Sequence, residues 1–252
     1  MRVVFMGTPE FSVPCLTRLI ADGYEVVGVF TQPDKPKGRG KQMAFPPVKE
    51  TALANGIPVF QPRSMRDGEA VSVLQTLEPD VIIVTAFGKI LPREVLELPQ
   101  YGCINIHASL LPRYRGAAPI QWSVLNGETK TGVTSMQMDV GLDTGDMLLR
   151  REVEITENET AGELHDVLSA LGAEVLSETL AALCAGTLTP EKQDDALSNY
   201  APMLTKELSP IDFTKPAKAV HDQIRGLSPW PCAAAEVSGK KLKVHASVLC
   251  AD

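Results

Sequence analysis

The chain has 252 residues, of which 22% are charged and 44% hydrophobic, and its formal net charge is −7. That composition excludes a disordered polymer and leaves room for one large domain with a small second one. Taken alone, the negative total argues against a nucleic-acid partner, because phosphate contacts need Lys and Arg; but the acidic excess is confined to residues 1–205 and reverses over 206–252, so a local cluster can still meet a polyanion.

Arg2–Met6 is a short apolar run broken by Gly7-Thr8-Pro9, which predicts a buried first strand rather than the start of a signal segment. Leu16, Leu19 and Ile20 then fall at helical spacing, and Gly23 stops that helix. Glu25–Phe30, Ile57–Phe60, Asp80–Thr85 and Gly102–His107 read as further strands. Helices are expected near 47–55, 66–77 and 117–126. Continuous β-branched runs separated by helices predict a mostly parallel sheet covered on both faces, an α/β fold of Rossmann-like type. Such sheets bind ligands at the carboxyl ends of their strands, here Gly7-Thr8-Pro9, Ala86-Phe87-Gly88 and His107-Ala108-Ser109.

Gly132–Met138 and Met147–Glu154 read as two strands joined by a polar, Gly-containing loop. Residues 160–186 form a long helix with Thr160 as its cap and Leu164, Val167, Leu168 and Leu171 on one face. Residues 187–210 are polar, contain Pro190, Pro202 and Pro210, and read as a linker. A small helix over 215–226 and strands over 233–238 and 241–249, turning at Ser238-Gly239-Lys240, end the chain. The expected domains are therefore 1–186, a linker over 187–210, and a small β piece over 211–252. The five scattered cysteines suggest a reducing cytoplasm without disulfides. No CxxC or His-x-x-x-His spacing occurs, so no zinc site is expected. No run of about 18 apolar residues occurs either, so no membrane span is expected.

Three segments could carry chemistry. Asn105 and His107 are two apart at the end of a strand, so both point to one face, where an amide and an imidazole can stabilise the negative oxygen of an attacked carbonyl. A core histidine beside a turn asparagine would look the same. Asp139-Val140-Gly141-Leu142-Asp143-Thr144-Gly145-Asp146 reads either as a solvated turn or as the source of a carboxylate that orients His107; it does not fit a calcium loop. Ser109-Leu110-Leu111-Pro112 offers a rigid connection with an apolar wall for a flat ligand.

Together, Asn105-x-His107-x-Ser109-Leu110-Leu111-Pro112-x-Tyr114-Arg115-Gly116 and the later Asp139-Val140-Gly141-Leu142-Asp143-Thr144-Gly145 resemble the folate-dependent formyltransferase family. The resemblance covers residues 1 to about 190. It implies Asn105, His107 and Asp143 as the catalytic trio and 10-formyltetrahydrofolate as a co-substrate, with no metal. It also implies Phe87, Gly88, Ile90, Ser109, Leu110, Leu111, Pro112 and Asp139 as donor contacts. Family members that cradle a substrate phosphate on the loop after the first strand are a poor match, since Pro9 lacks an N–H and Glu10 would repel the phosphate. Residues 35–41 hold Lys35, Lys37, Arg39 and Lys41 among loop formers. This stretch resembles the insertion of those members that formylate methionyl initiator tRNA, and Arg39 is expected to act as the wedge at the end of the acceptor stem. Amino-sugar formyltransferases and folate deformylases of the family are the rival readings, as is a non-catalytic folate- or RNA-binding relic. Pro229-Trp230-Pro231 and Lys241–His245 resemble the start of the family's C-terminal OB-like barrel, so residues 211–252 are expected to be an incomplete one. The implied protein is a cytoplasmic monomer.

Overall fold

The structure is a computed structural model that describes residues 1–37 and 42–250; of Lys37 and Gln42 it describes the backbone. In chain order the elements are β1 Arg2–Gly7, α1 Val13–Ala21, β2 Glu25–Phe30, β3 Lys35–Lys37, β4 Gln42–Ala44, α2 Pro47–Ala54, β5 Val59–Phe60, α3 Gly68–Leu77, β6 Val81–Thr85, α4 Arg93–Leu96 and β7 Cys103–His107. There follow β8 Arg115–Gly116, α5 Pro119–Leu125, β9 Lys130–Gln137, β10 Met147–Glu154, α6 Ala161–Ala185, β11 Tyr200–Ala201, α7 Ala217–Gly226, β12 Ala233–Val237 and β13 Lys240–Val244. The chain divides into two units that alternate along the sequence: residues 1–107, 134–150 and 169–193 in the first, and 108–133, 151–168 and 194–252 in the second.

The first unit is built on a seven-stranded sheet of order β10-β9-β7-β6-β1-β2-β5. β5, β2, β1, β6 and β7 run parallel, and β9 lies antiparallel to β7, with Asn105 opposite Met136 and His107 opposite Thr134. The parallel strands are apolar on both faces because both are covered. On one side Val4, Met6, Phe30, Ile82, Val84 and Cys103 pack against Leu74 of α3 and Val95 and Leu96 of α4. At Gly7 a Cβ would come within 2.8 Å of Phe5, 2.9 Å of Ser12 and 3.0 Å of the Thr85 carbonyl, so only glycine lets β1 turn this tightly beside β6. The order of strands reverses about the β1–β6 pair, and α/β sheets bind ligands beyond the carboxyl ends of strands at such a switch point.

The 25-residue α6 is long and apolar enough to cross a membrane by length and composition alone, with a mean hydropathy of 1.5 over its best window. A count of consecutive apolar residues misses it because Ser, Thr and Glu interrupt the run. Val175, Leu176 and Leu180 are buried, Ser169 Oγ donates to the Phe11 carbonyl, and Thr179 meets Ser135 of β9, as in a core helix. Val167, expected on the buried face, is 45% exposed, because a 3.6-residue period carries the buried stripe from Ala161 and Leu164 to Leu168 instead. Thr160 is the cap: its hydroxyl accepts from the Glu163 N–H at 3.2 Å, and the Glu163 carboxylate accepts from the Thr160 N–H at 2.8 Å.

In the second unit α5 packs on α7 around Ala118, Leu204, Ile224, Leu227 and Ala233. Arg225 is buried there, donating to Asp222 at 2.8 Å and to the carbonyls of Thr156 and Glu159. β12 and β13 pair antiparallel through Ser238 and Gly239, both with positive φ (50° and 71°), the turn that matches strand twist. The second strand ends at Val244, short of the expected 249.

Two segments differ from their expectation as plain loops. The 187–210 stretch is tied at several points: Glu191 bridges Met147, and Tyr200 and Ala201 of β11 pair with Arg115 and Gly116 of β8. The cationic stretch after β2 is bounded by a short antiparallel ladder, Lys35 opposite Ala44 and Pro36 opposite Met43.

Candidate active site

β7 delivers Asn105 and His107 to the same face at its carboxyl end, as the two-residue repeat of a strand requires. His107 is mostly buried, with its side chain 7% exposed, and its Nδ1 lies 3.8 Å from Oδ2 of Asp143. That separation is in the range of an ion pair rather than a direct hydrogen bond. Asn105 is half-buried, and no hydrogen bond to its side-chain amide is found among the described residues. A half-buried amide of this kind is a donor available to a ligand.

Asp143 reaches His107 from the loop between β9 and β10, and its backbone is left-handed, with φ of 54°. Aspartate tolerates that region better than most residues, but it is held there only by its surroundings. Asp139 braces the loop from inside: its carboxylate accepts from the Gly141 N–H at 3.0 Å and from the Thr144 hydroxyl at 2.7 and 2.9 Å. At Gly145 a Cβ would sit 1.7 Å from the Gln137 carbonyl, so the loop closes only on glycine. From outside, the side-chain amide of Gln193 donates to the carbonyls of Asp143 at 2.9 Å and Gly145 at 2.7 Å. Gln193 escaped sequence reasoning, because its partners are backbone atoms some fifty positions away and its own segment has no periodicity.

The other residues singled out in the sequence fall as follows. The side chain of Phe87 is buried in the core, so only its backbone can meet a ligand; its carbonyl already accepts from Gln32 at 3.1 Å and from Thr8 at 3.3 Å. Gly88 has φ of 71°, and a Cβ there would lie 2.5 Å from the Gln32 amide. Ile90 is 73% exposed. Ser109, Leu110, Leu111 and Pro112 follow His107 directly in sequence and belong to the second unit. There Ser109 donates to the Arg113 carbonyl at 2.6 Å, closing the turn, and Leu111 is buried.

Lys35 is exposed and donates to the Gln32 side chain at 3.1 Å. Lys37 is paired through its backbone with Gln42. Arg39 and Lys41 lie outside the described residues. The root of this segment is fastened by Asp34, whose carboxylate takes the Lys49 ammonium at 2.7 Å and the Gln61 amide at 2.8 Å. Those two donors hold the Asp34 carboxyl below its ordinary value.

The family model for formyl transferases matches residues 1–180, and that for the formyl transferase C-terminal domain matches residues 203–251. Over 245 residues the chain is 57% identical to the methionyl-tRNA formyltransferase of Caldanaerobacter subterraneus subsp. tengcongensis, covering 97% of this chain and 79% of that protein. It is 56% identical to the methionyl-tRNA formyltransferase of Ruminiclostridium cellulolyticum, covering 97% of this chain and 78% of the relative. Among solved structures, it resembles the sugar 3N-formyl transferase WlaRD, solved in the presence of dTDP and 5-N-formyl-THF. That likeness has a TM-score of 0.76 at 21% identity and covers 100% of this chain and 87% of WlaRD. It also resembles HypX from Aquifex aeolicus in complex with tetrahydrofolic acid, with a TM-score of 0.71 at 20% identity over 96% of this chain and 36% of HypX. At such identities the two structures speak for the fold.

Proposed function

The chain belongs to the formyl transferase family, among its methionyl-tRNA formyltransferases, and on that premise we propose that Asn105, His107 and Asp143 carry its chemistry. The enzyme moves a formyl group from a folate-derived donor to the amino group of methionyl initiator tRNA. In this reading the donor is 10-formyltetrahydrofolate, consumed as a substrate. The contacts proposed for it are the backbone at Phe87 and Gly88, the exposed Ile90, Asp139, and Ser109, Leu110, Leu111 and Pro112.

The methionyl amine attacks the formyl carbon, a C–N bond forms, and the carbonyl electrons become an oxyanion. The Asn105 amide and the imidazolium of His107 donate to that oxygen, in a site where neither dipole has to reorganise. As the oxyanion collapses, the bond to the folate nitrogen breaks. The proton shed by the attacking amine passes to the departing nitrogen, with the Asp143 carboxylate as its relay. Lys35, Lys37, Arg39 and Lys41 meet the acceptor stem, and Arg39 is the wedge. Residues 1–186 form the catalytic domain and 211–252 the OB-like piece of the tRNA side. The enzyme works as a monomer in the cytoplasm, with neither a metal nor a membrane partner.

The observation that carries the catalytic assignment is the 3.8 Å approach of the Asp143 carboxylate to His107, on the face of β7 that also bears Asn105. Single-turnover formylation of methionyl initiator tRNA by this chain tests it. The Asn105→Ala variant is expected to lose roughly 10²–10³ in rate with donor affinity unchanged. A wild-type rate in that variant would refute the assignment.

A further inference from the structure

We infer that Gln193 is a positioning residue for the transfer step, holding Asp143 in the left-handed backbone conformation from which its carboxylate reaches His107. The inference rests on the catalytic reading of Asp143 given above. Three observations carry it. Asp143 has φ of 54°, a left-handed conformation that persists only where neighbours impose it. The brace inside the loop acts through the Gly141 N–H and the Thr144 hydroxyl, which the Asp139 carboxylate accepts. The carbonyls are held by Gln193, whose Nε2 donates to those of Asp143 at 2.9 Å and Gly145 at 2.7 Å.

Fixing the Asp143 carbonyl fixes its peptide plane and with it the direction of the Cα–Cβ bond. The grip is itself anchored. Two residues before Gln193, Glu191 exchanges both backbone hydrogen bonds with Met147 of β10 at 2.8 Å, and its carboxylate pairs with Arg150 at 2.7 Å. Gln193 therefore hangs from the strand that ends the loop and reaches back over it. A loose loop would let the carboxylate drift from the imidazole. Displacements of about 1 Å near a reacting centre cost up to roughly a hundredfold in rate.

The test is a double-substitution cycle read by single-turnover formylation at saturating donor and methionyl initiator tRNA. Gln193→Met keeps the side chain's length and removes both donors. It is expected to slow transfer roughly ten- to a hundredfold while leaving the KM for tRNA unchanged. On an Asp143→Asn background the same substitution is expected to cost nothing further, because the group that Gln193 orients is already disabled. A merely structural Gln193 would instead give losses that multiply. A full rate in Gln193→Met, or multiplying losses in the double variant, overturns the inference while the catalytic reading stands. A full rate in Asp143→Asn alone overturns both. If Gln193→Met does not fold, Gln193→Glu, which keeps the shape and turns the donor into an acceptor, is read in its place with the same outcomes.

Discussion

Asn105 and His107 could be read from a single strand because a β-strand returns to the same face every second residue, and that periodicity needs no tertiary information. Asp143 needed the motif, and its partner Gln193 was invisible, since an amide bound to two distant carbonyls leaves no local pattern. Thr144 belongs to the same class. Its hydroxyl is the main tie to the Asp139 carboxylate, so Thr144→Val is expected to loosen the loop and weaken donor binding severalfold, measured by donor titration against the parent chain. The cysteines give a sharper residue-level contrast. Burial pushes the thiols of Cys15 and Cys103 up to about 12, whereas Cys184 and Cys250 are exposed. In a thiol-labelling time course at pH 8 the native protein should release two fast equivalents, with the buried Cys15, Cys103 and Cys232 reacting only after unfolding. Early labelling of Cys15 or Cys103 would mean that the sheet opens locally.

At the scale of elements, α6 is held to the sheet by a buried hydroxyl pair as well as by apolar packing. Thr179 gives its proton to the Val175 carbonyl at 2.6 Å. With that single proton committed, Ser135, which accepts from the Leu149 N–H at 3.1 Å, is the donor to Thr179 across 2.7 Å. Thr179→Val would strand the Ser135 proton and cost about 1–3 kcal/mol, whereas the double variant Ser135→Ala/Thr179→Val should cost less than the two single changes summed. Urea unfolding of the four proteins measures this. The β3–β4 ladder is one of the elements that sequence reading missed, beside α4 and the β8–β11 pair. Its strands are three residues each and include a proline and two lysines, which no strand propensity would select. What roots it is the tie of Asp34 to Lys49 and Gln61, made by residues that close on it only in the fold. Arg39→Ala is expected to raise the KM for tRNA with the donor KM intact, and an unchanged tRNA KM would remove the wedge from the mechanism.

Across the whole molecule, several carboxylates are held below their ordinary values by local donors. Asp34 is held by Lys49 and Gln61, Glu163 by the Thr160 N–H and hydroxyl, Glu207 by the Thr205 hydroxyl and Asp212 by the Thr214 hydroxyl. A depressed carboxyl contributes stability that is present above its unfolded value, 3.8 for Asp and 4.5 for Glu, and is lost as pH falls through the lower folded value. The urea midpoint is therefore expected to be flat from pH 7 to 5 and to fall below about pH 4. Lys49→Met should shallow that fall by removing the first of Asp34's two partners. Glu163, Glu207 and Asp212 are exposed, so the share of each is small.

The sequence by itself determined the alternation of strands and helices, the parallel sheet and the face on which Asn105 and His107 stand. Each of these is a matter of periodicity or of a contiguous motif, and both are local. Only the tertiary structure decided that the 187–210 stretch is tied to β8 and β10 rather than running free, and that Phe87 turns its ring into the core. It alone decided that Asp143 reaches within 3.8 Å of His107 from a left-handed turn. The physical reason is common to all three. Backbone hydrogen-bond partners, and the side of a chain that burial claims, are settled by whichever segments arrive opposite one another, and no window of neighbouring residues carries that information.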